Sequence, residues 1–365
     1  MSILEHLEKA AKDGASDLFL IAGAQPSARI GGRMRKYGDR LMPEDSTKLV
    51  RELYELAERD HVEFSDDGDD DFSFAIPGNA RFRVNAYKQR GSECLVIRII
   101  PFGIPDPESS HVPDEIMNLC DLESGLILVT GTAGSGKSTT QACMIDRINR
   151  TRDAHIVTLE DPIEYLHRNQ EGIVSQREIG LDTKSYATGL TACLRESPDV
   201  ILLGEMRDPE TIQTALTAAE TGHLVLATLH TKGAVNAVDR VIDAFPPAQQ
   251  AQVRLQASMV IEAVISQALV PGVKDLRVPV FELLKFNTAV RSLVREGKTH
   301  QIGQAMSGGT AKSGMWTHGM YANKLLSEGL VIRQAVAHFL TDEDTASPAE
   351  PDAGASRRSR WGINK

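Results

Sequence analysis

Eight consecutive residues, Gly131-Thr132-Ala133-Gly134-Ser135-Gly136-Lys137-Ser138, complete a G-x-x-x-x-G-K-[ST] pattern that Thr139 continues. Glycines at these positions let backbone N–H groups turn inward around phosphate oxygens. The Lys137 ammonium reaches the β and γ phosphates, and the Ser138 hydroxyl can bind Mg2+. The apolar run 126–129 precedes the pattern and a helical stretch follows it, so the context predicts a strand, a phosphate loop and a helix.

Three more apolar runs, 156–159, 200–203 and 224–229, recur through the next hundred residues, each followed by polar or glycine-rich residues and then a helical pattern. This is βαβ organisation with a parallel sheet. Ligands of such sheets sit at the carboxyl ends of the strands, so the residues after each run are expected to face the nucleotide. Run 156–159 leads into Glu160, Asp161 and Glu164, carboxylates able to hold Mg2+ through water or to orient an attacking water. Run 200–203 leads into Gly204-Glu205 and resembles a Walker B strand. Gly204 stands at the usual aspartate position, so Glu205 takes the metal-side role and Glu164 becomes the candidate general base. A helix cap is the competing reading for a single acid at a strand end. Run 224–229 leads into His230-Thr231, where an imidazole and a hydroxyl can sense a γ-phosphate, whereas His223 opens the same run at the end where ligands are not expected. Arg195 and Arg207 lie near these strands and can act within the chain, across a subunit boundary, or as simple partners of carboxylates.

The first hundred residues read as a smaller α+β domain. Ser2 and Glu5 form a capping box, and Ile3, Leu7 and Ala10 recur at helical spacing until Gly14. A second helix is expected around Leu49, Leu53 and Leu56. Phe72, Phe74 and Ile76 alternate, then Phe82, Val84 and Ala86, which predicts a hairpin. On its return strand Arg81 and Arg83 share one face by the period of two and form a candidate anion contact. The acidic run 66–71 reads as a solvated loop, because calcium-site spacing is absent. Pro101, Gly103, Pro105 and Pro107 mark a linker. The domains are therefore expected at 1–100 and 116–345, joined by a linker at 101–115. Beyond residue 245 the apolar pattern through Val253, Val260, Val264, Ile265 and Leu269 reads as helical up to Pro271, and 346–365 reads as a disordered tail.

Length and composition agree. At 365 residues, 41% hydrophobic and 25% charged, the chain has material for about two cores, and collagen-like, disordered and disulfide-stapled classes are excluded. A net charge of -10 opposes nucleic acid as the partner. Cys94, Cys120, Cys143 and Cys193 form no C-x-x-C pair and read as reduced structural thiols. No apolar run reaches the ~20 residues of a membrane-spanning helix, and Glu5 and Glu8 stand where a signal peptide would be basic, so a cytoplasmic location is expected.

Several segments together resemble the PilT family of type IV pilus retraction ATPases, within the wider type II/IV secretion ATPase superfamily. They are Ala15-Ser16-Asp17-Leu18, Arg81-Phe82-Arg83-Val84-Asn85, the phosphate loop, Thr158-Leu159-Glu160-Asp161-Pro162-Ile163-Glu164-Tyr165, Gln176-Arg177-Glu178-Ile179-Gly180-Leu181-Asp182-Thr183, Gly204-Glu205-Met206-Arg207-Asp208 and Ala219-Glu220-Thr221-Gly222-His223. The resemblance implies a PAS-like domain before a RecA-like ATPase domain, and a homo-hexamer with ATP and Mg2+ bound between the two domains. It implies that Lys137 and Ser138 bind nucleotide, Glu164 activates water, Glu205 is the Walker B acid, and His223 and His230 belong to a His box. Arg81, Arg83, Arg195 and Arg207 match the family's arginines. Expected partners are an inner-membrane pilus platform protein and a second pilus ATPase, with the chain peripheral at the inner face of the cell membrane. A PilU-like accessory or pilus-assembly subunit with little hydrolysis is the alternative. The chain departs from the family's pattern at Phe19, where relatives often have histidine, and at Lys232-Gly233 after His230-Thr231.

Overall fold

The computed structural model describes residues 1–340 apart from Gly32, Pro77, Phe102, 274–276 and 308–313. The tail expected at 346–365 lies outside the described residues. The chain divides into two compact units: residues 1–104 with 163–168, and residues 105–162 with those from 169 onward.

In the first unit, α1 (Ile3–Lys12) starts at the Ser2 cap, whose hydroxyl accepts from Glu5 N at 3.3 Å while Ser2 N donates to the Glu5 carboxylate at 2.7 Å. It is followed by β1 (Ala15–Leu20), β2 (Ser27–Ile30), β3 (Arg33–Lys36), α2 (Pro43–Leu56), α3 (Val62–Asp67), β4 (Asp69–Ile76), β5 (Ala80–Gln89) and β6 (Ser92–Pro101). The strands form an antiparallel sheet in the order β3-β2-β1-β6-β5-β4. Leu7, Leu18, Leu53, Phe82 and Ile97 are fully buried between sheet and helices. Along β5, Ala80, Phe82, Val84 and Ala86 point into that core, which leaves Arg81 and Arg83 half-buried on the other face.

The acidic run 66–71 is not a loop. α3 ends at Asp67, Gly68 takes a left-handed φ of 83° as its C-cap, and β4 begins at Asp69. The reason is one charge pair: Arg59 Nη2 and Nε donate to Asp70 at 2.9 and 3.0 Å, and the Tyr54 hydroxyl donates to it at 2.7 Å. Neutralised in this way, Asp70 stands at the edge of the core. A run of like charges carries no sign of a partner eleven residues upstream.

The second unit runs α4 (Asp114–Met117), β7 (Gly125–Thr130), α5 (Lys137–Thr151), β8 (His155–Glu160), β9 (Ile173–Glu178), α6 (Tyr186–Cys193), β10 (Val200–Leu203), α7 (Pro209–Glu220), β11 (Leu224–Leu229), α8 (Ala234–Asp243), α9 (Pro247–Val260), β12 (Ile261–Pro271), β13 (Arg277–Lys285), α10 (Thr288–Arg295), α11 (Ile302–Ser307) and α12 (His318–Ser327). Its sheet has the order β13-β12-β7-β11-β10-β8-β9, parallel throughout except for the β12–β13 pair. The fold is α/β, and apolar layers cover both sheet faces. The helix expected up to Pro271 stops at Val260, because 261–271 is strand β12. Both faces of that strand are buried, so its apolar residues show no period of two, and the β-branched Ile261, Val264 and Ile265 favour the extended chain.

All four cysteines are buried and free. Burial pushes the thiols of Cys120, Cys143 and Cys193 up to about 12. Among the described residues, no helix is long and apolar enough to cross a membrane.

Replacing Asp70 by alanine leaves the buried Tyr54 hydroxyl without its acceptor and is expected to cost the first unit about 1–3 kcal/mol. Native-state hydrogen exchange across α2 and β4 reads this loss, and unchanged protection there contradicts it.

Candidate functional site

The phosphate loop leaves β7 at Thr130 and closes on Lys137, the first residue of α5. It is pressed against β12. A Cβ on Gly131 would lie 2.2 Å from the Gln267 carbonyl oxygen, and one on Gly136 would lie 2.7 Å from Gln267 Nε2. Both glycines also have positive φ, 147° and 89°, so the pattern's glycines are required by space and by backbone conformation. The buried Lys137 donates from Nζ to the carbonyls of Gly131 and Thr132, both at 3.0 Å. Ser138 and Thr139 lie half-buried in the first turn of α5, and Thr140 donates to Gln267 Oε1 at 2.8 Å.

Beside the loop, the tips of β11, β10 and β8 follow in order. Glu205, just past β10, is held from two sides: Arg207 Nη2 lies 2.7 Å from Oε2 and His230 Nε2 lies 3.1 Å from Oε1. Burial raises the Glu205 carboxyl, but the hydrogen bond from Arg207 and the charge of His230 outweigh it. The group stays below the usual carboxylate range and is ionised at neutral pH. Met206 N donates to Thr228 O at 3.0 Å, and Thr228 Oγ1 donates to Gln141 Oε1 of α5 at 3.0 Å, so the segment carrying Glu205 is tied to the helix that carries Lys137. At the tip of β8, Glu160 accepts from Thr158 at 2.7 Å and from Gln176 at 3.2 Å.

Gly204 has its own explanation. A Cβ there would lie 2.8 Å from the Tyr186 hydroxyl and 3.2 Å from both Glu160 Cα and the Leu159 carbonyl. An aspartate does not fit, and the acid of this strand tip is displaced by one residue. Burial raises the Tyr186 phenol, and the carboxylates of Asp161, Glu205 and Glu160 raise it further, so it remains a neutral hydroxyl among three acids.

Within the second unit, the structure does not bring every expected residue to this edge. His223 precedes β11, with Nδ1 2.9 Å from the Ala218 carbonyl at the end of α7. The six-residue strand puts it roughly 20 Å from the edge carrying the loop. Arg195 is exposed on the turn leading into β10, at the same far edge as His223. Arg81 and Arg83 belong to the first unit, as does the exposed Glu164 in segment 163–168. Sequence reasoning missed Gln267 and Tyr186. A glutamine inside the apolar run 261–270 was the available signal for the first.

Gly204→Ala is expected to destabilise the second unit by about 1–3 kcal/mol through overpacking. Adding Tyr186→Phe, which removes the nearest atom, should recover part of that loss. Equilibrium unfolding of the single and double variants measures both, and strict additivity rules the contact out.

The model of the family described as Type II/IV secretion system protein matches residues 2–276. The chain is 42% identical to the Pseudomonas aeruginosa type IV pilus retractation ATPase PilT over 335 residues, covering 92% of this chain and 96% of that protein. It is also 42% identical to a Neisseria gonorrhoeae twitching motility protein, covering 95% and 92%. A crystal structure of the pilus retraction motor PilT with bound ADP superposes with a TM-score of 0.86 at 45% identity, covering 94% of this chain and 98% of that one. The loop, the acid-bearing strand tips and these likenesses converge: the chain belongs to the type II/IV secretion system protein family, in its PilT branch.

Proposed function

We propose that this chain is an ATP-hydrolysing motor subunit that drives type IV pilus retraction. It acts as a cytoplasmic homo-hexamer at the inner face of the cell membrane, against a platform protein and beside a second pilus ATPase. One observation carries the reading: a complete phosphate loop lies beside an ionised Glu205 held by His230 and Arg207. The PilT relatives, one of them solved with ADP, supply the substrate class and the pilus.

The residues present fit the nucleotide and its cation. Gly131 and Gly136 stand where a Cβ would collide with Gln267, so the loop backbone can keep its turned path, and Ser138 and Glu205 would offer Mg2+ a hydroxyl and a carboxylate. Bound Mg2+–ATP supplies the transferable γ-phosphoryl group. The loop amides and Lys137 offset phosphate charge, and Glu205 stays anionic to hold the cation. His230 fixes the Glu205 carboxylate and faces the terminal phosphate. Glu160 supports the acidic edge, and the resemblance to the family makes Glu164 the candidate that orients the attacking water. Phosphoryl transfer needs positioning and charge stabilisation more than covalent chemistry, which is what these groups offer. Arg195 and His223 belong to boundaries between subunits, and the resemblance to the family makes Arg81 and Arg83 candidates for offsetting charge. For Arg195 and His223, their place at the opposite sheet edge from the chain's own loop supports this assignment.

Lys137→Ala and Glu205→Gln are each expected to lower ATP turnover about 100-fold or more. A strain carrying Lys137→Ala should accumulate surface pili without twitching. Intact turnover overturns the site, and loss of pili reassigns the force to assembly. Lys137→Ala and Arg195→Ala chains, each inactive alone, should regain turnover when mixed, because some boundaries then combine an intact loop with an intact arginine. Mixtures that stay inactive count against a shared site.

A further inference from the structure

The segment that carries His230 is held by side chains outside every motif described above. His230 reaches Glu205 from the first residue after β11, and residues 231–234 then turn into α8. The N-cap of that helix is Gly233, which has no side chain to offer its first amides. The cap comes instead from two neighbouring strands. Ser266 Oγ on β12 accepts from Gly233 N at 3.1 Å, and Glu282 Oε2 on β13 accepts from Ala234 N at 2.7 Å. Ser266 and Glu282 are paired across the β12–β13 ladder, and Ser266 is also paired with Thr130, the residue before the phosphate loop. Thr130 Oγ1 completes the set by donating to the Thr231 carbonyl at 2.6 Å. One row across three strands therefore grips the turn.

Glu282 is costly to keep there. Its side chain is 13% exposed, and burial raises its carboxyl, an effect that the amide of Ala234 offsets in part. His318, whose Nδ1 lies 3.5 Å from Glu282 Oε2, is lowered to about 4 by burial and is neutral, so it backs the carboxylate without forming an ion pair with it. A buried carboxylate with no cationic partner among the described residues, aimed at a helix start, calls for a positional reason.

We propose that Glu282 is a positioning residue: by capping α8 together with Ser266 it fixes the turn 230–234 and so holds His230 against Glu205. The inference rests on the reading of the loop as an ATP site, and it concerns how that site is assembled rather than what it binds.

Steady-state turnover of the full-length chain tests it with Glu282→Ala and Glu282→Gln, each alone and in a His230→Ala background. Hydrogen exchange over residues 230–236 is measured on the same proteins. Glu282→Ala should lower kcat about tenfold with KM for Mg2+–ATP nearly unchanged, because the loop still binds nucleotide. Glu282→Gln keeps an acceptor oxygen and should retain most of the activity. In the His230→Ala background, Glu282→Ala should cost less than about twofold, since a residue acting through His230 has nothing left to position. Amides of 230–236 should exchange faster in Glu282→Ala alone. An unchanged kcat, an effect on KM instead, or a full loss that persists without His230 overturns the proposal. Where Glu282→Ala does not fold, Ser266→Ala removes the other half of the cap and is read in the same way. If the wild-type chain turns over no ATP, the functional reading fails on its own. The exchange measurement still decides whether Glu282 holds the turn, and unchanged exchange overturns the positioning role.

Discussion

Parallel strands paired in step are the constraint from which the candidate site follows. Gly125 of β7 stands beside Leu224 of β11, which aligns with Val200 of β10 and Ile156 of β8. All four strands consequently discharge their loops at one edge. Apolar layers cover both faces, so the strands themselves admit few polar side chains and the tips are the first places where such groups meet water. Thr130, Thr158 and Thr228, with Ser266 and Gln267 of the adjoining β12, are buried polar residues near those tips, and each has a hydrogen-bond partner.

Close backbone approach adds a second demand. Gly131 and Gly136 yield space to Gln267, and Gly204 yields space to Tyr186 and the end of β8. Each contact joins a segment of the site to a neighbouring strand or helix, so the loop and the acidic tip of β10 are placed by packing as well as by their own conformations. Electrostatics then completes the arrangement: Glu205 lies between a guanidinium and an imidazole and remains charged although partly buried.

Local spacing made much of this legible in advance. The phosphate loop is a contiguous pattern, β7, β8, β10 and β11 are apolar runs bounded by turn residues, and Glu205 follows from its place after a strand. What escaped depended on distant partners. Gln267 meets Thr140 across 127 residues and Glu282 meets Ala234 across 48, and neither belongs to a spacing rule. β12 was hidden because a strand buried on both faces loses its alternation. The run 66–71 misled because the partners of Asp70, Arg59 and Tyr54, lie upstream of it. A sequence pattern reports who stands next to whom along the chain, and these features were decided by who stands next to whom in space.

The four buried cysteines have a practical corollary. Their sulfurs are shielded, and three of them hold their protons far above neutral pH, so thiol reagents find little to attack on the folded protein. The native background is chemically quiet. A maleimide dye or spin probe attached to one engineered surface cysteine would therefore report from that position alone, giving a direct optical or magnetic readout of its surroundings.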